Sequence, residues 1–306
     1  MVEYLNTPND RNNPNGGINW AKERAGNGHL LPYKIKYYEL GNEIYQGIPQ
    51  KGILGVDTER YAKDYLKYRN AMKSVDTTIL LGAVINSSDR KKISSWNDNL
   101  FKIAGQSIDF LVEHTYRPWY TSNDEKVDTN KLFTKTFNSL EEVEKYYKNL
   151  SNHFEMVTSR KMFPFSVTEY NGGFVQDRPV PFRYSLGTAI FNAGLLQIFI
   201  KPENNILMAN YWQFVNIYWG MIKNDQFIDG KGHYVKRPNY YVFEMFNKHF
   251  GTKLLDVKVN DLSEKLSTGL KGKTLSVTAS KSKDNKKLYV MVLNKNVYED
   301  IGVIIS

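Results

Sequence analysis

Lys34-Ile35-Lys36-Tyr37-Tyr38-Glu39-Leu40-Gly41-Asn42-Glu43-Ile44 is the stretch on which the reading of this chain turns. Pro32 introduces it, and aromatic and β-branched residues alternate along it as they do in a β-strand. Gly41 breaks the pattern, so Asn42 and Glu43 stand where the strand runs out. A carboxylic acid at the C-terminal end of a parallel strand lies where barrel enzymes keep their chemistry. Glycoside chemistry needs a second carboxylate facing the first. Phe163 to Asn171 repeats the layout, with apolar residues running into Thr168-Glu169-Tyr170.

Around these two stretches the chain alternates between strand and helix. Residues 1–34 read as a short helical start, a loop rich in Asn, Pro and Gly, and a helical piece from Trp20 to Ala25. Asp57-Thr58 caps a helix to about Lys73, with Tyr61, Tyr65, Tyr68 and Met72 spaced for one buried face. Thr78 to Ile85 and Ile108 to His114 are apolar runs suited to strands buried on both faces of a parallel sheet. Trp96 to Ala104 reads as a helix. Ser139-Leu-Glu-Glu142 reads as a capping box that starts another, with Leu140, Val143, Tyr147, Leu150 and Phe154 on or near one face. Pro181 to Ile200 is a long apolar helix, and Asn205 to Phe214 a last strand. This rhythm means βα units and a parallel sheet, here with five strands before residue 220. A closed barrel takes eight, and an open five-stranded sheet would need its edges covered. Beyond Arg237-Pro238 come a short helix, Tyr240 to His249, and alternating segments at Lys253–Val259, Thr274–Ala279 and Lys287–Leu293, as in part of an antiparallel β-sandwich. The expected division is a catalytic domain over 1–236 and a sandwich domain over 237–306.

Composition narrows the function classes. The chain has 306 residues, 41% hydrophobic and 24% charged, as in a globular protein. The net charge is +9, but Lys and Arg are dispersed, and clusters such as Arg90-Lys91-Lys92 and Lys281 to Lys287 are short, which reads as solvated surface and not a nucleic-acid footprint. With no cysteine there is no disulfide, thiolate metal site or cysteine nucleophile. No apolar run has transmembrane length and no signal peptide is legible, which taken literally means cytoplasmic. The five His show no paired ligand spacing, and neither a phosphate loop nor a G-x-S-x-G elbow occurs, so no metal and no cofactor is expected.

The strand ends in order carry Asn42 and Glu43, Asn86, His114 and Tyr116, Glu169, and Gln213. In a parallel barrel these converge on one face. Singly, each has a plain structural explanation: an exposed loop Glu, a hydrogen-bonded His, a packing Tyr or Trp119. Together they suit glycoside hydrolysis. One carboxylic acid protonates the leaving oxygen; the other attacks at a separation of about 5–5.5 Å or activates water at about 6.5–9.5 Å.

The ordered set Val2-Glu3-Tyr4-Leu5-Asn6, Trp20-Ala21-x-x-Arg24-Ala25-x-Asn27-Gly28-His29, Pro32 to Glu43, His114-Thr115-Tyr116, Thr168-Glu169-Tyr170-Asn171 and Gln213-Phe214-Val215-Asn216 resembles the α-L-arabinofuranosidases of glycoside hydrolase family fifty-one. The resemblance implies an α/β fold, a (β/α)8 TIM barrel followed by a β-sandwich, and retaining hydrolysis. It implies Glu43 as general acid/base, Glu169 as nucleophile, and Asn42 on the sugar 2-hydroxyl. It also implies His114 and Tyr116 on the sixth strand, with the Tyr positioning the nucleophile, and Gln213 on the eighth; Trp119 joins the expected sugar-binding set. Tyr170 stands where the family usually has Trp. In the family the Val-Glu-Tyr-Leu-Asn segment follows the third barrel strand. The expectation is therefore a partial barrel, strands four to eight, with an incomplete sandwich, in a fragment of a longer protein. The implied partner is an arabinose-containing oligosaccharide or polysaccharide, with no nucleic acid and no membrane, and a homo-oligomer of the full-length parent is left open. If the start is internal, secretion is also open. The alternatives are another retaining glycosidase of the clan, a β-xylosidase or endoglucanase, or an inactive carbohydrate-binding remnant.

Overall fold

The computed structural model describes residues 1–13, 15–46, 55–87, 95–120, 125–161, 163–174, 178, 182–225, 233–260, 269–270 and 273–305. The cluster Arg90-Lys91-Lys92 lies outside them. Strands β1 (Tyr37–Leu40), β2 (Leu80–Val84), β3 (Phe110–Tyr120), β4 (Phe165–Phe174) and β5 (Ile206–Tyr211) form one parallel sheet in the order β1-β2-β3-β4-β5. Each strand lies beside its predecessor in sequence. That is the order of a barrel wall; a doubly wound sheet reverses direction partway. By contact density the chain divides into two compact units, 1–113 with 149–166, and 114–148 with 167–306.

The first unit holds β1, β2, the start of β3, and helices α1 (Val2–Asn6), α2 (Trp20–Gly26), α3 (Thr58–Val75) and α4 (Ser95–Ala104). Tyr37 pairs with Leu80 and Leu40 with Ala83, and Gly82 pairs with Phe110 in the next ladder. Asp57 caps α3 by accepting from the Arg60 amide. Helix α3 then pins the sheet through two hydroxyls. Tyr61 donates to the Leu40 carbonyl at 2.7 Å and accepts from the Val84 amide at 2.7 Å. Tyr65 donates to the Leu81 carbonyl at 2.9 Å. Trp96 stacks on Tyr61 at 5.5 Å and donates its indole N–H to Val84 O. The expected four-residue face is narrower than the spacing predicted: Tyr61 and Tyr65 are buried, but Tyr68 is 62% exposed. The buried stripe is completed by Thr58 and Ala62, which leaves Tyr68 rotated toward solvent.

The second unit holds the remainders of β3 and β4, strand β5, the first part of α5 (Thr129–Thr158), helices α6 (Leu186–Phe199) and α7 (Pro238–Lys248), and the C-terminal strands. The capping box at Ser139 starts no helix. Helix α5 is continuous through it, and Ser139 Oγ donates back to the Thr136 carbonyl at 2.7 Å. The cap is Asp128, eleven positions before Ser139, and its carboxylate accepts from the Lys131 amide. Buried Leu132 and Phe137 before the box and Val143 and Tyr147 after it carry one apolar stripe through it, and burial overrides the local signal. Strands β8 (Lys253–Leu255), β9 (Leu275–Lys281) and β10 (Leu288–Asn294) form an antiparallel sheet in the order β10-β9-β8. Ala189, Ala193 and Val242 form a core with Leu196, Phe246 and Leu293 beside it. A hairpin of β6 (Ile222–Asp225) and β7 (His233–Lys236), which the sequence reading did not place, pairs antiparallel. Among the described residues no helix is long and apolar enough to cross a membrane.

A Cβ at Gly82 would lie 2.2 Å from Phe110 Cε2 and 2.6 Å from Val112 Cγ2. Gly82→Ala should therefore destabilise the fold by about 1–3 kcal/mol, read as a lowered urea midpoint with unchanged m; an unchanged midpoint would contradict this packing. Alkali supplies a second test. Burial, helped by nearby carboxylates, raises the Tyr61 and Tyr65 hydroxyls above the ordinary value of 10.0. Tyr45 is pushed up to about 12 by burial first and then by Glu43. The neutral phenols are favoured in the folded state, so their contribution is complete below the unfolded value of 10.0 and is lost as pH rises through the folded ones. Tm should hold steady up to about pH 9.5 and fall progressively above about pH 10.

Candidate functional site

The first unit places Asn42 and Glu43 in a tight turn directly after β1. Tyr61 holds the Leu40 carbonyl, which fixes where the strand stops. Gly41 has φ +95°, and a Cβ there would sit 3.3 Å from two Ile44 side-chain carbons. Glu43 itself has φ +45°, in the left-handed region that a non-glycine residue seldom adopts outside functional or tightly constrained sites. The turn is closed by the Gln46 amide donating to Glu43 O at 2.8 Å, and Val56 N donates to Ile44 O at 2.9 Å. Asn42 is exposed and Glu43 half-buried. Tyr45 packs edge-on against Trp96 at 5.9 Å.

The second unit brings His114, Tyr116 and Glu169 together. Tyr116 donates its hydroxyl to Glu169 Oε2 at 2.7 Å. His114 Nδ1 lies 3.6 Å from the same oxygen, and its Nε2 meets Thr168 Oγ1 at 3.1 Å. The His side chain is 6% exposed and the Glu side chain 19%. Both contacts fall on Oε2. A hydroxyl donor aimed at one carboxylate oxygen fixes the direction in which the other points. Trp119 is 55% exposed and stands perpendicular to Tyr116, ring centres 6.4 Å apart. Gln213 is half-buried just past β5, with its carbonyl accepting from the Met221 amide at 2.9 Å.

The expectation that Tyr116 and Glu169 would cap their strands needs correction. Strand β3 runs on to Tyr120 and β4 to Phe174, so both residues lie inside extended structure. Gly173 makes room for this continuation: a Cβ there would come within 2.7 Å of Pro118 O and 2.8 Å of Trp119 Cε3.

Sequence reasoning passed over a buried amide network two residues beyond Glu169. Asn171 Nδ2 donates to Trp212 O at 2.7 Å and Tyr211 Oη at 3.1 Å. Its Oδ1 accepts from Gly172 N at 2.7 Å and Asn192 Nδ2 at 3.0 Å. Asn192 Nδ2 also donates to Asn239 Oδ1 at 2.9 Å. The available signal was an Asn in the middle of the otherwise apolar run Ala189-Ile190-Phe191-Asn192-Ala193. The loop after β5 is clasped by Arg237, which donates to the carbonyls of Ile217, Tyr218 and Gly220, while Arg183 stacks over the Tyr218 ring.

Residues 1–136 match the α-L-arabinofuranosidase 1 domain model and residues 168–300 the α-L-arabinofuranosidase C-terminal domain model. No curated protein sequence matches the chain. The structure is similar to that of the α-L-arabinofuranosidase of Thermotoga maritima solved as an arabinose complex, at 25% identity and TM-score 0.72 over 96% of this chain. It is similar in the same degree to the thermostable family fifty-one enzyme of Thermotoga petrophila, at 24% identity and TM-score 0.72 over 96% of this chain. The chain spans 57% of the length of each of these two relatives. A family forty-four endoglucanase of Clostridium thermocellum shares the fold at 15% identity and TM-score 0.59, over 90% of this chain and 57% of its own, so fold alone does not select a substrate. With one family's two domain models matching in order along most of the sequence, and solved members of that family sharing its fold, this chain belongs to the α-L-arabinofuranosidase family.

Proposed function

We propose that this chain carries the catalytic residues of a retaining glycosidase that releases terminal α-L-arabinofuranosyl groups from arabinose-containing polysaccharides or oligosaccharides. The observation that carries the reading is the treatment of Glu169: Tyr116 donates to its Oε2, His114 lies against that same oxygen, and Oε1 is left as the attacking atom. In the first step an Oε1 lone pair forms a bond to the anomeric carbon as the glycosidic C–O bond breaks. Glu43 delivers its proton to the departing oxygen. In the second step Glu43 takes a proton from water, the water oxygen attacks the anomeric carbon, and the bond to Glu169 breaks to free arabinose with net retention. In this reading Asn42, Gln213 and Trp119 hold the sugar, and the left-handed turn at Glu43 sets the acid's approach. The catalytic region is 1–236, with the antiparallel segment 237–306 as a separate domain.

Two results test this. Glu169→Ala should lower turnover of an aryl α-L-arabinofuranoside by at least about 1,000-fold, and azide should restore activity with an inverted glycosyl azide as product. Retained turnover in Glu169→Ala would remove the assignment. Tyr116→Phe removes one charge-assisted hydrogen bond and should lower kcat/KM by about 10–100-fold without loss of fold, checked by the same assay beside a thermal melt. An unchanged kcat/KM would mean the hydroxyl does not prepare the nucleophile.

A further inference from the structure

We propose that Asn192 is a positioning residue for the sugar-binding segment Trp212–Gln213, acting through Asn171; this rests on the reading that Glu169 and Gln213 belong to one active site. Asn192 lies midway along α6 and is fully buried. It spends both amide protons on side-chain carbonyls, those of Asn171 and Asn239, which are themselves 1% exposed. The donation to Asn171 Oδ1 decides which way that amide faces. With its oxygen turned to Asn192 and Gly172 N, Asn171 must present its N–H groups to Trp212 O and Tyr211 Oη. The Trp212 carbonyl belongs to the peptide that leads into Gln213, and the Trp212 amide donates to Tyr170 O at 3.1 Å. Both ends of Trp212 are thus tied to the two residues that follow Glu169, so the nucleophile and the start of Gln213 share one frame.

The energetics favour positioning over stability as the role of this side chain. Asn192 Oδ1 is buried with no hydrogen-bond partner among the described residues. A buried, unsatisfied acceptor is a net cost, and an apolar residue would suit the surrounding run better. What Asn supplies that an apolar residue lacks is the pair of donors that orients Asn171. A carboxylate in its place would set oxygen against oxygen at both contacts. Asn171 would then relieve the repulsion by turning its N–H groups toward α6, leaving Trp212 O without its donor.

The test combines nuclear magnetic resonance of the whole chain with kinetics. In wild type, the Asn171 side-chain amide protons should exchange with solvent far more slowly than those of free asparagine, and exchange at the free rate would overturn the proposal whatever any variant does. In Asn192→Asp, with the melting point still above the assay temperature, the Trp212 carbonyl resonance should shift. KM for an aryl α-L-arabinofuranoside should rise about tenfold with a smaller change in kcat, since the segment holds the sugar and supplies no proton. A purely structural residue would lower Tm and leave the resonance and KM of the folded protein unchanged, and that result would overturn the proposal. Glu169→Ala run alongside keeps the two ideas apart: retained activity there defeats the catalytic reading, whereas the carbonyl shift judges Asn192 without reference to turnover.

Discussion

A parallel strand that stops must hand its backbone hydrogen bonds to something other than another strand. Side chains do this in both units, from helix α3 in the first and from strand β4, oriented by helix α6, in the second, and much else depends on it. In the first unit a single hydroxyl, that of Tyr61, receives the Val84 amide and gives its proton to the Leu40 carbonyl. In the second unit the amide of Asn171 takes the Trp212 carbonyl in the same way. Leu40, Asn171 and Trp212 each lie within three residues of a proposed sugar-contacting or catalytic residue. The ends of the strands are therefore the places where helix packing is converted into side-chain position.

The cost of this device is visible. Tyrosine and asparagine must be buried where an apolar residue would pack, and their polar atoms must then all be matched. Tyr61 and Tyr65 are matched. The Tyr170 hydroxyl and Asn192 Oδ1 have no partner among the described residues. Tyr170 is surrounded by Phe199, Tyr211 and Phe243 rings, and burial holds its hydroxyl neutral. Glu43, in a left-handed turn, is a third place where local preference gives way. All three lie in or beside the segments that carry the proposed chemistry, as expected where local rules are broken for function.

What the sequence shows directly is whatever has a short period or a short reach. Apolar runs at 78–85 and 108–114 predicted β2 and β3, and Asp57 before an amphipathic run predicted the start of α3. The approach of Tyr116 to Glu169 was implied by the family resemblance before any distance was known, whereas that of His114 to the same oxygen came only from the structure. The capping box at Ser139 misled because a four-residue signal cannot report the buried stripe that runs through it. Tyr68 misled because spacing gives a stripe's direction and not its width.

By itself, then, the sequence determined the βα alternation, the number of parallel strands and the family, and it singled out the two carboxylates proposed as catalytic, because each is written in periodicity or in a run of neighbouring residues. The tertiary structure decided the rest. It chose which oxygen of Glu169 receives Tyr116, which way the Asn171 amide faces, and that β3 and β4 continue past the residues expected to cap them. These depend on groups 21 to 53 residues apart in the chain meeting at hydrogen-bond distance, and no local pattern encodes such a meeting.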